Sequence, residues 1–194
     1  MNTQAVRSWD QRYQSADILQ TTTARVLQEN LHLLPSHGQA LDLACGLGAN
    51  ARTLATTSLS TWAWDSSAVA IAKLNAYAQT HSLNLIAQAR DVIAQPPETH
   101  SFDVIVVTYF LERALFPALC AALRPGGLLF YQTFSQMSPP THSHGPTNPA
   151  FRLAAGELLQ LCAPLCVRAY REEGLCGDHT QGLRGEVLFV GQAR

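Results

Sequence analysis

Apolar positions along this chain fall into short runs that alternate with longer segments of mixed polarity. Five of these runs predict β-strands, at 40–44, 61–64, 83–87, 102–107 and 128–134. Four segments with helical patterns and end signals predict helices, at 18–34, 49–57, 67–80 and 113–123. The VIVV run of the fourth strand is apolar at every position, which is typical of a strand covered on both faces. The alternation therefore predicts an α/β fold of right-handed β-α-β units, with a parallel sheet between helices.

The pattern changes after residue 134. Residues 135–149 are dense in Pro, Ser, Thr and His, which predicts a long loop, and loops of this length are often functional. A short helix at 155–162 and two strands near 167–172 and 186–192 are predicted to follow. With no internal repeat and 194 residues, the chain is predicted to form one domain over its whole length, 1–194.

Composition excludes several classes of partner. The net charge is −1 and there is no run of Lys or Arg, so neither a nucleic acid nor an anionic membrane is expected as a partner. No apolar run approaches the roughly 20 residues of a membrane span, and the N-terminus lacks the apolar core of a secretory signal. The five cysteines are an odd set without a CxxC pair, which favours reduced thiols and a cytoplasmic location.

A glycine loop with nearby acids provides the candidate chemistry. The stretch LDLACGLGAN contains Gly46 and Gly48 between a strand and a helix, where a missing Cβ lets the backbone approach a ligand. GLGANA fits the dinucleotide fingerprint and suggests NAD, but Asp42 precedes it and would repel a pyrophosphate. S-adenosylmethionine instead carries a sulfonium and an ammonium. Asp65 ends the second strand, where it can bind ribose hydroxyls, and Asp91 follows the third, where it can bind adenine.

With these acids, the sequence resembles the class I S-adenosylmethionine-dependent methyltransferases over nearly its whole length. The stretches that carry the resemblance are LDLACGLGANARTLA, WAWDSSAVAI, ARDV, SFDVIVVTYFL and LRPGGLLFYQTF. It implies a Rossmann-like doubly wound sheet of about seven strands, with the last strand antiparallel and helices on both faces. One departure is Ala44, where the family often has glycine; alanine fits there if its φ angle is negative. SWDQRYQ and NPAFRLAAGELLQL are similar to the small bacterial tellurite-resistance and thiopurine-type enzymes of the family.

The resemblance implies an N-terminal helical cap at 1–35, a cofactor-binding half at 36–134 and a substrate side at 135–194. It places the methionine part of the cofactor on the 44–48 loop, ribose on Asp65 and adenine on Asp91 and Val92. Cys45 in the loop is interpreted as a small buried thiol. The predicted cofactor-binding residues are Trp9, Tyr13, Asp42, Ala44, Cys45, Gly46, Gly48, Asn50, Asp65, Ser66, Arg90, Asp91, Val92 and Thr108.

The acceptor side is predicted from position alone. Tyr109 and Glu112 follow the fourth strand, and Arg152 is placed to contact an anionic substrate or a surface carboxylate. The HSH motif at His142 and His144 suggests either a metal or a loop that faces substrate, and no metal site is predicted because a third ligand is lacking. We expect the 135–149 loop and the Trp9–Tyr13 helix to form a lid that sets acceptor choice and excludes water; the alternative is a disordered surface loop.

The predicted activity is methyl transfer from S-adenosylmethionine to a small acceptor such as a thiol or a metalloid oxyanion. Because the sulfonium is already activated, alignment is the main requirement and a general base is optional. No catalytic residue is predicted. An NAD(P)-dependent oxidoreductase and a non-catalytic cofactor-binding module remain as alternatives, and the sequence fixes neither the acceptor nor the oligomeric state.

Overall fold

A seven-stranded sheet forms the centre of the protein, in a computed structural model that describes residues 3–140 and 144–194. The strands are β1 (Gly38–Leu43), β2 (Leu59–Asp65), β3 (Leu85–Ala89), β4 (Phe102–Thr108), β5 (Leu123–Phe134), β6 (Cys166–Arg171) and β7 (Glu186–Gln192). Their order is β3-β2-β1-β4-β5-β7-β6. The strands from β1 to β5 pair in parallel, and β7 runs antiparallel to both β5 and β6. The predicted doubly wound sheet with an antiparallel last strand is therefore confirmed.

Six α-helices surround this sheet in the described part of the chain. They are α1 (Thr3–Ser15), α2 (Arg25–Gln28), α3 (Ala49–Leu54), α4 (Ala68–Thr80), α5 (Phe116–Ala122) and α6 (Glu157–Leu161). Side chains alternate between two core layers along β4. Val104 and Val106 pack with α2 and α3, whereas Ile105 and Val107 pack with α5 and α6. All four are fully buried, which confirms that helices cover both faces.

The single helix predicted over 18–34 is wrong. The segment instead forms 3₁₀ turns at 18–20 and 31–33 on either side of the short α2. Local side-chain bonds favour this arrangement, since Asp17 accepts from the Leu19 N–H and the Thr21 hydroxyl donates to the Ile18 carbonyl at 2.7 Å. Such bonds compete with the helical backbone pattern.

Strand β5 begins five residues earlier than predicted. Leu123 pairs with Phe102 and Leu128 pairs with Val104, so the residues between Leu123 and Leu128 bulge out of the ladder. The proline and glycines of that bulge are the reason the sequence indicated a turn there. The division into cap, cofactor half and substrate half stays a prediction.

The carboxyl ends of β1, β2 and β4 lie side by side at one edge of the sheet. This edge is where an open α/β sheet binds its ligands. Within 3–140 and 144–194, none of the helices is both long and apolar enough to cross a membrane.

Candidate active site

The loop after β1 turns sharply through three left-handed residues. Ala44, Gly46 and Gly48 have φ angles of 56°, 53° and 72°. A Cβ on Gly46 would lie 2.7 Å from the Tyr13 hydroxyl, and one on Gly48 would lie 2.4 Å from a Leu74 methyl. Both positions therefore require glycine. The negative φ angle that would suit an alanine at position 44 is not adopted, and Ala44 holds a conformation that costs roughly 1–2 kcal/mol.

Asp42 lies beneath this loop with no exposed surface. Its Oδ2 accepts from the Ala51 N–H at 2.9 Å, at the start of α3, whereas Oδ1 has no hydrogen-bond partner among the described residues. Burial raises the pKa of Asp42 to about 7, and the charge of Asp65 adds to the shift. The carboxyl group thus forms the floor of the loop and holds an unfilled acceptor atom.

Asp65 joins the end of β2 to the glycine loop. Its Oδ2 accepts from the Gly46 N–H and its Oδ1 from the Ser67 N–H, each at 2.8 Å. Burial raises its pKa. An ionised carboxylate offers about four acceptor positions, so two remain for ligand hydroxyls. Ser66 lies between Asp65 and Ser67, and Ser67 caps α4 by accepting from the Ala70 N–H.

Asn50 connects the cofactor loop to β4. Its Nδ2 donates to the Thr108 hydroxyl at 3.0 Å, and its Oδ1 accepts from the Ala24 N–H at 2.9 Å. The start of α3, the end of β4 and the segment before α2 are therefore fixed to one another. This contact brings together two predicted site residues, Asn50 and Thr108.

The predicted adenine-binding residues lie in the turn after β3. Asp91 Oδ1 accepts from two N–H groups of that turn, at 3.0 and 3.2 Å. The Arg90 guanidinium lies 3.9 Å from the centre of the Trp64 ring and donates to two carbonyls of the same segment. Val92 is buried in the core. These side chains shape the turn, and their contact with adenine stays a prediction.

Helix α1 covers the loop. The Tyr13 hydroxyl lies over Gly46, Trp9 stacks on Tyr13 with ring centres 5.8 Å apart, and the Ser67 hydroxyl donates to Asp10. Lys73 of α4 holds the end of α1, because its Nζ donates to three carbonyl oxygens between residues 13 and 16 at 2.7–2.9 Å. Such a cation stabilises the C-terminal end of a helix.

We expect Lys73→Met to loosen α1 without unfolding the domain. Charge-assisted hydrogen bonds contribute about 1.5–3 kcal/mol each, and partial exposure lowers that value here. Hydrogen exchange of the α1 amides should become at least about tenfold faster, which corresponds to about 1.4 kcal/mol. Arg168→Met, which removes a positive charge far from α1, serves as the control. Equal exchange in Lys73→Met and the wild-type chain would show that Lys73 does not hold α1.

Of the predicted acceptor-side residues, Tyr109 is the one that faces solvent beside β4. It has a φ angle of 56° and is 49% exposed. Glu112 accepts from the Ala114 N–H and caps a 3₁₀ turn. Arg152 donates to three carbonyl oxygens of the loop after β5 and lies over Phe134. Its guanidinium thus organises that loop, which includes His144; His142 lies outside the described residues.

Two polar residues next to Tyr109, Gln132 and Glu186, were not predicted from the sequence. Gln132 Nε2 donates to the Tyr109 hydroxyl at 3.0 Å and to Glu186 at 2.6 Å. Each residue sits within an apolar strand, LLFYQTF or EVLFV, and a buried polar side chain in such a run is the signal that could have found it.

The described residues provide neither an activated cysteine nor a metal-binding cluster at this site. All five cysteines are free, and loss of solvent around the Cys45 thiol raises its pKa, which keeps it protonated. Across residues 3–140 and 144–194, no group of three or more His, Cys, Asp or Glu side chains is arranged to hold a metal.

The site fits S-adenosylmethionine. Asp42 below the loop, ionised in part near pH 7, and Asp65 beside it place carboxylate charge on two sides of the loop. That charge suits a ligand with a sulfonium and an ammonium and opposes one with two phosphates. The glycine loop supplies the close backbone approach that such a ligand needs.

Comparison with known families identifies the domain. Residues 40–127 match a family described as "Methyltransferase domain", and this range contains the glycine loop and all three predicted acids. None of the curated proteins compared with the sequence matches it.

Solved structures with the same fold extend the comparison to most of the chain. TehB from Haemophilus influenzae is 21% identical, with a TM-score of 0.70 over 90% of this chain and 63% of its own. The structure titled "Conversion of a Disulfide Bond into a Thioacetal Group during Echinomycin Biosynthesis" is 20% identical. Its TM-score is 0.73, and the match covers 97% of this chain and 93% of the other. The geranyl diphosphate C-methyltransferase from Streptomyces coelicolor A3(2), solved with S-adenosyl-L-homocysteine, is 14% identical. Its TM-score is 0.66, and the match covers 87% of this chain and 74% of the other. These likenesses define the fold.

Residues 40–127 thus match a methyltransferase domain, and most of the chain shares the fold of these solved structures. The matched domain favours methyl transfer over the nicotinamide alternative. This chain spans 63% of the length of TehB.

Proposed function

We propose that the protein methylates a small soft nucleophile, a thiol or a metalloid oxyanion, in the space beside Tyr109. The observation that carries this proposal is the position of Tyr109, which directly follows Thr108 and is therefore tied through Asn50 to the cofactor loop. Its half-exposed ring gives an acceptor an aromatic surface next to the cofactor. The net charge of −1 disfavours a polyanionic acceptor.

A sulfur acceptor has support from one structural neighbour. The protein described as converting a disulfide into a thioacetal shares the fold over 97% of this chain. The five free cysteines agree with the reducing cytoplasm that we propose as its location.

The residues of the chain perform three tasks in this function. When bound, S-adenosylmethionine supplies a methyl group on a positively charged sulfur. Asp42 and Asp65 provide the negative surroundings that a cationic ligand favours. Helix α1 covers the loop through Tyr13 and keeps water away from it, and the acceptor is aligned at Tyr109.

Ligand-dependent stabilisation tests the cofactor half of this function. At a ligand concentration about 100-fold above the dissociation constant, binding to the folded state adds about 2.7 kcal/mol. S-adenosylmethionine and S-adenosylhomocysteine should therefore both raise the melting temperature, and NAD should not. A rise with NAD alone would contradict the assignment.

An acceptor screen then tests the transfer half. Thiols, selenite and tellurite are incubated with the protein and S-adenosylmethionine, and release of S-adenosylhomocysteine is measured. Methylation of at least one of these acceptors is expected. Cofactor binding without turnover on any acceptor would favour the non-catalytic alternative.

A further inference from the structure

Glu186 is a buried carboxylate at the acceptor side of the site. It is the first residue of β7 and pairs with Phe134 across β5. The residue as a whole is 9% exposed. Three donors from three parts of the chain surround it: Gln132 at 2.6 Å, His144 Nε2 at 3.1 Å and the Tyr109 hydroxyl at 3.3 Å.

A backbone N–H fixes the orientation of the Gln132 amide and, through it, the direction of the Tyr109 hydrogen bonds. Gln132 Oε1 accepts from the Val26 N–H at 2.7 Å, so its amide nitrogen must face Tyr109 and Glu186. The Tyr109 oxygen therefore accepts from Gln132 and donates its own proton to Glu186. Burial raises the pKa of Tyr109, with the charge of Glu186 adding, so this hydroxyl stays protonated and acts as a donor.

The contacts of Glu186 with Tyr109 are the longest that it makes and can give way to a stronger proton donor. The one proton of the Tyr109 hydroxyl is shared between the two carboxylate oxygens at 3.3 and 3.4 Å, whereas Gln132 and His144 donate at 2.6 and 3.1 Å. The Glu186 side chain keeps 11% of its surface accessible, beside the exposed ring of Tyr109. The left-handed backbone of Tyr109 holds this ring in place, and strained backbone of this kind concentrates at functional sites.

We propose that Glu186 is a catalytic base that takes the proton from a neutral thiol acceptor, which narrows the acceptor class of the proposed function and rests on it. The acceptor sulfur forms a bond to the methyl carbon as the bond from that carbon to the sulfonium breaks. The S–H proton passes to a carboxylate oxygen of Glu186 and afterwards to water. Tyr109 and Gln132 are positioning residues that aim the carboxylate.

Charge selects between the two acceptors of the proposed function. A metalloid oxyanion beside the Glu186 carboxylate would place like charges in contact, which is unfavourable at low dielectric. A thiol enters neutral and brings the donor that Glu186 can accept. The titratable groups that face Glu186 are Tyr109 from the end of β4 and His144 from the loop after β5. The Arg152 guanidinium lies over Phe134 and donates to loop carbonyl oxygens.

Glu186→Gln tests the proposal because it keeps the shape and removes the base. Two thiols are compared as acceptors at pH 7: an acidic aryl thiol that is already ionised, and an alkyl thiol that is not. General-base catalysis contributes about 10²–10⁴-fold. We expect kcat/KM for the alkyl thiol to fall at least about 100-fold and that for the aryl thiol to change little. The variant's rate with the alkyl thiol should rise with pH until the thiol itself ionises, and Glu186→Asp should restore part of the activity.

Two controls separate this role from a structural one. Glu172→Gln makes the same change in a carboxylate that contacts Tyr170 and the Gly156 N–H rather than Tyr109, and it should leave both rates unchanged. S-adenosylhomocysteine affinity, measured by calorimetry, should stay within about twofold of wild type in Glu186→Gln. If Glu186→Gln does not fold, Tyr109→Phe provides the test, since it frees the carboxylate and should slow the alkyl thiol more than the aryl thiol.

Each remaining result would overturn the proposal. Equal losses with the two thiols, or no loss with either, would exclude Glu186 as the base while leaving thiol methylation intact. A wild-type protein that methylates selenite or tellurite but no thiol would exclude the thiol class and leave the proposed function standing. No methylation of any acceptor would remove the proposed function together with the base.

Discussion

Asp65→Ala is expected to lower the affinity for S-adenosylhomocysteine by at least tenfold, about 1.4 kcal/mol, while the domain stays folded. The carboxylate has two acceptor positions beyond its bonds to the Gly46 and Ser67 N–H groups. A charge-assisted bond to a ribose hydroxyl is worth about 1.5–3 kcal/mol, so losing two such bonds accounts for this effect. The glycine loop also loses the bond that holds Gly46, which adds to the cost of binding.

Calorimetry with the demethylated product measures this effect without turnover. Asp65→Asn retains one carbonyl acceptor in the same shape and should bind with intermediate affinity. A urea unfolding curve for each variant checks that the fold is kept. Wild-type affinity in Asp65→Ala would show that the end of β2 does not contact the ribose.

Asp42→Asn is expected to flatten the dependence of stability on pH. The pKa of Asp42 is about 7 in the folded protein and about 3.8 without burial. Between these values the folded state holds a proton that the unfolded state has released, so stability falls as pH rises through this window. One proton changes the free energy of unfolding by about 1.4 kcal/mol per pH unit. Asparagine does not titrate and removes this contribution.

Urea unfolding at pH 5 and pH 7 measures the difference. The wild-type protein should lose about 2–3 kcal/mol more than Asp42→Asn between these two values. Other carboxylates titrate in both proteins and cancel in the comparison. Asp178→Asn, which changes an exposed carboxylate, should follow the wild-type curve. Parallel curves for Asp42→Asn and wild type would mean that Asp42 is already ionised when buried.

The strands were predictable because a strand buried on both faces shows its burial as a run of consecutive apolar residues. Val104 to Val107 are apolar at every position since both faces of β4 are covered, and the sequence shows this directly. The cofactor loop was predictable because Asp42, Gly46 and Gly48 lie within seven positions of one another. The residues that form the loop and its acidic floor are therefore visible in one short stretch of sequence.

The acceptor side was not predictable because it depends on distant pairing. Glu186 reaches Tyr109 and Gln132 only because β7 inserts beside β5, which aligns residue 186 with residue 134. No local pattern specifies that alignment. The positive φ of Ala44 was missed for a related reason, since the surrounding loop imposes a backbone angle that alanine itself disfavours.

The amine of Lys73 has a consequence for chemical labelling. Lys73 is the only lysine in the chain, and its amine is fully engaged by the carbonyl oxygens at the end of α1. An acylating reagent can modify it only after those bonds open, so the rate of its acylation reports the departure of α1 from the glycine loop. The only other amine is the α-amine, so mass spectrometry can follow acylation at Lys73 alone. The rate of that acylation then measures how fast the cofactor loop is uncovered.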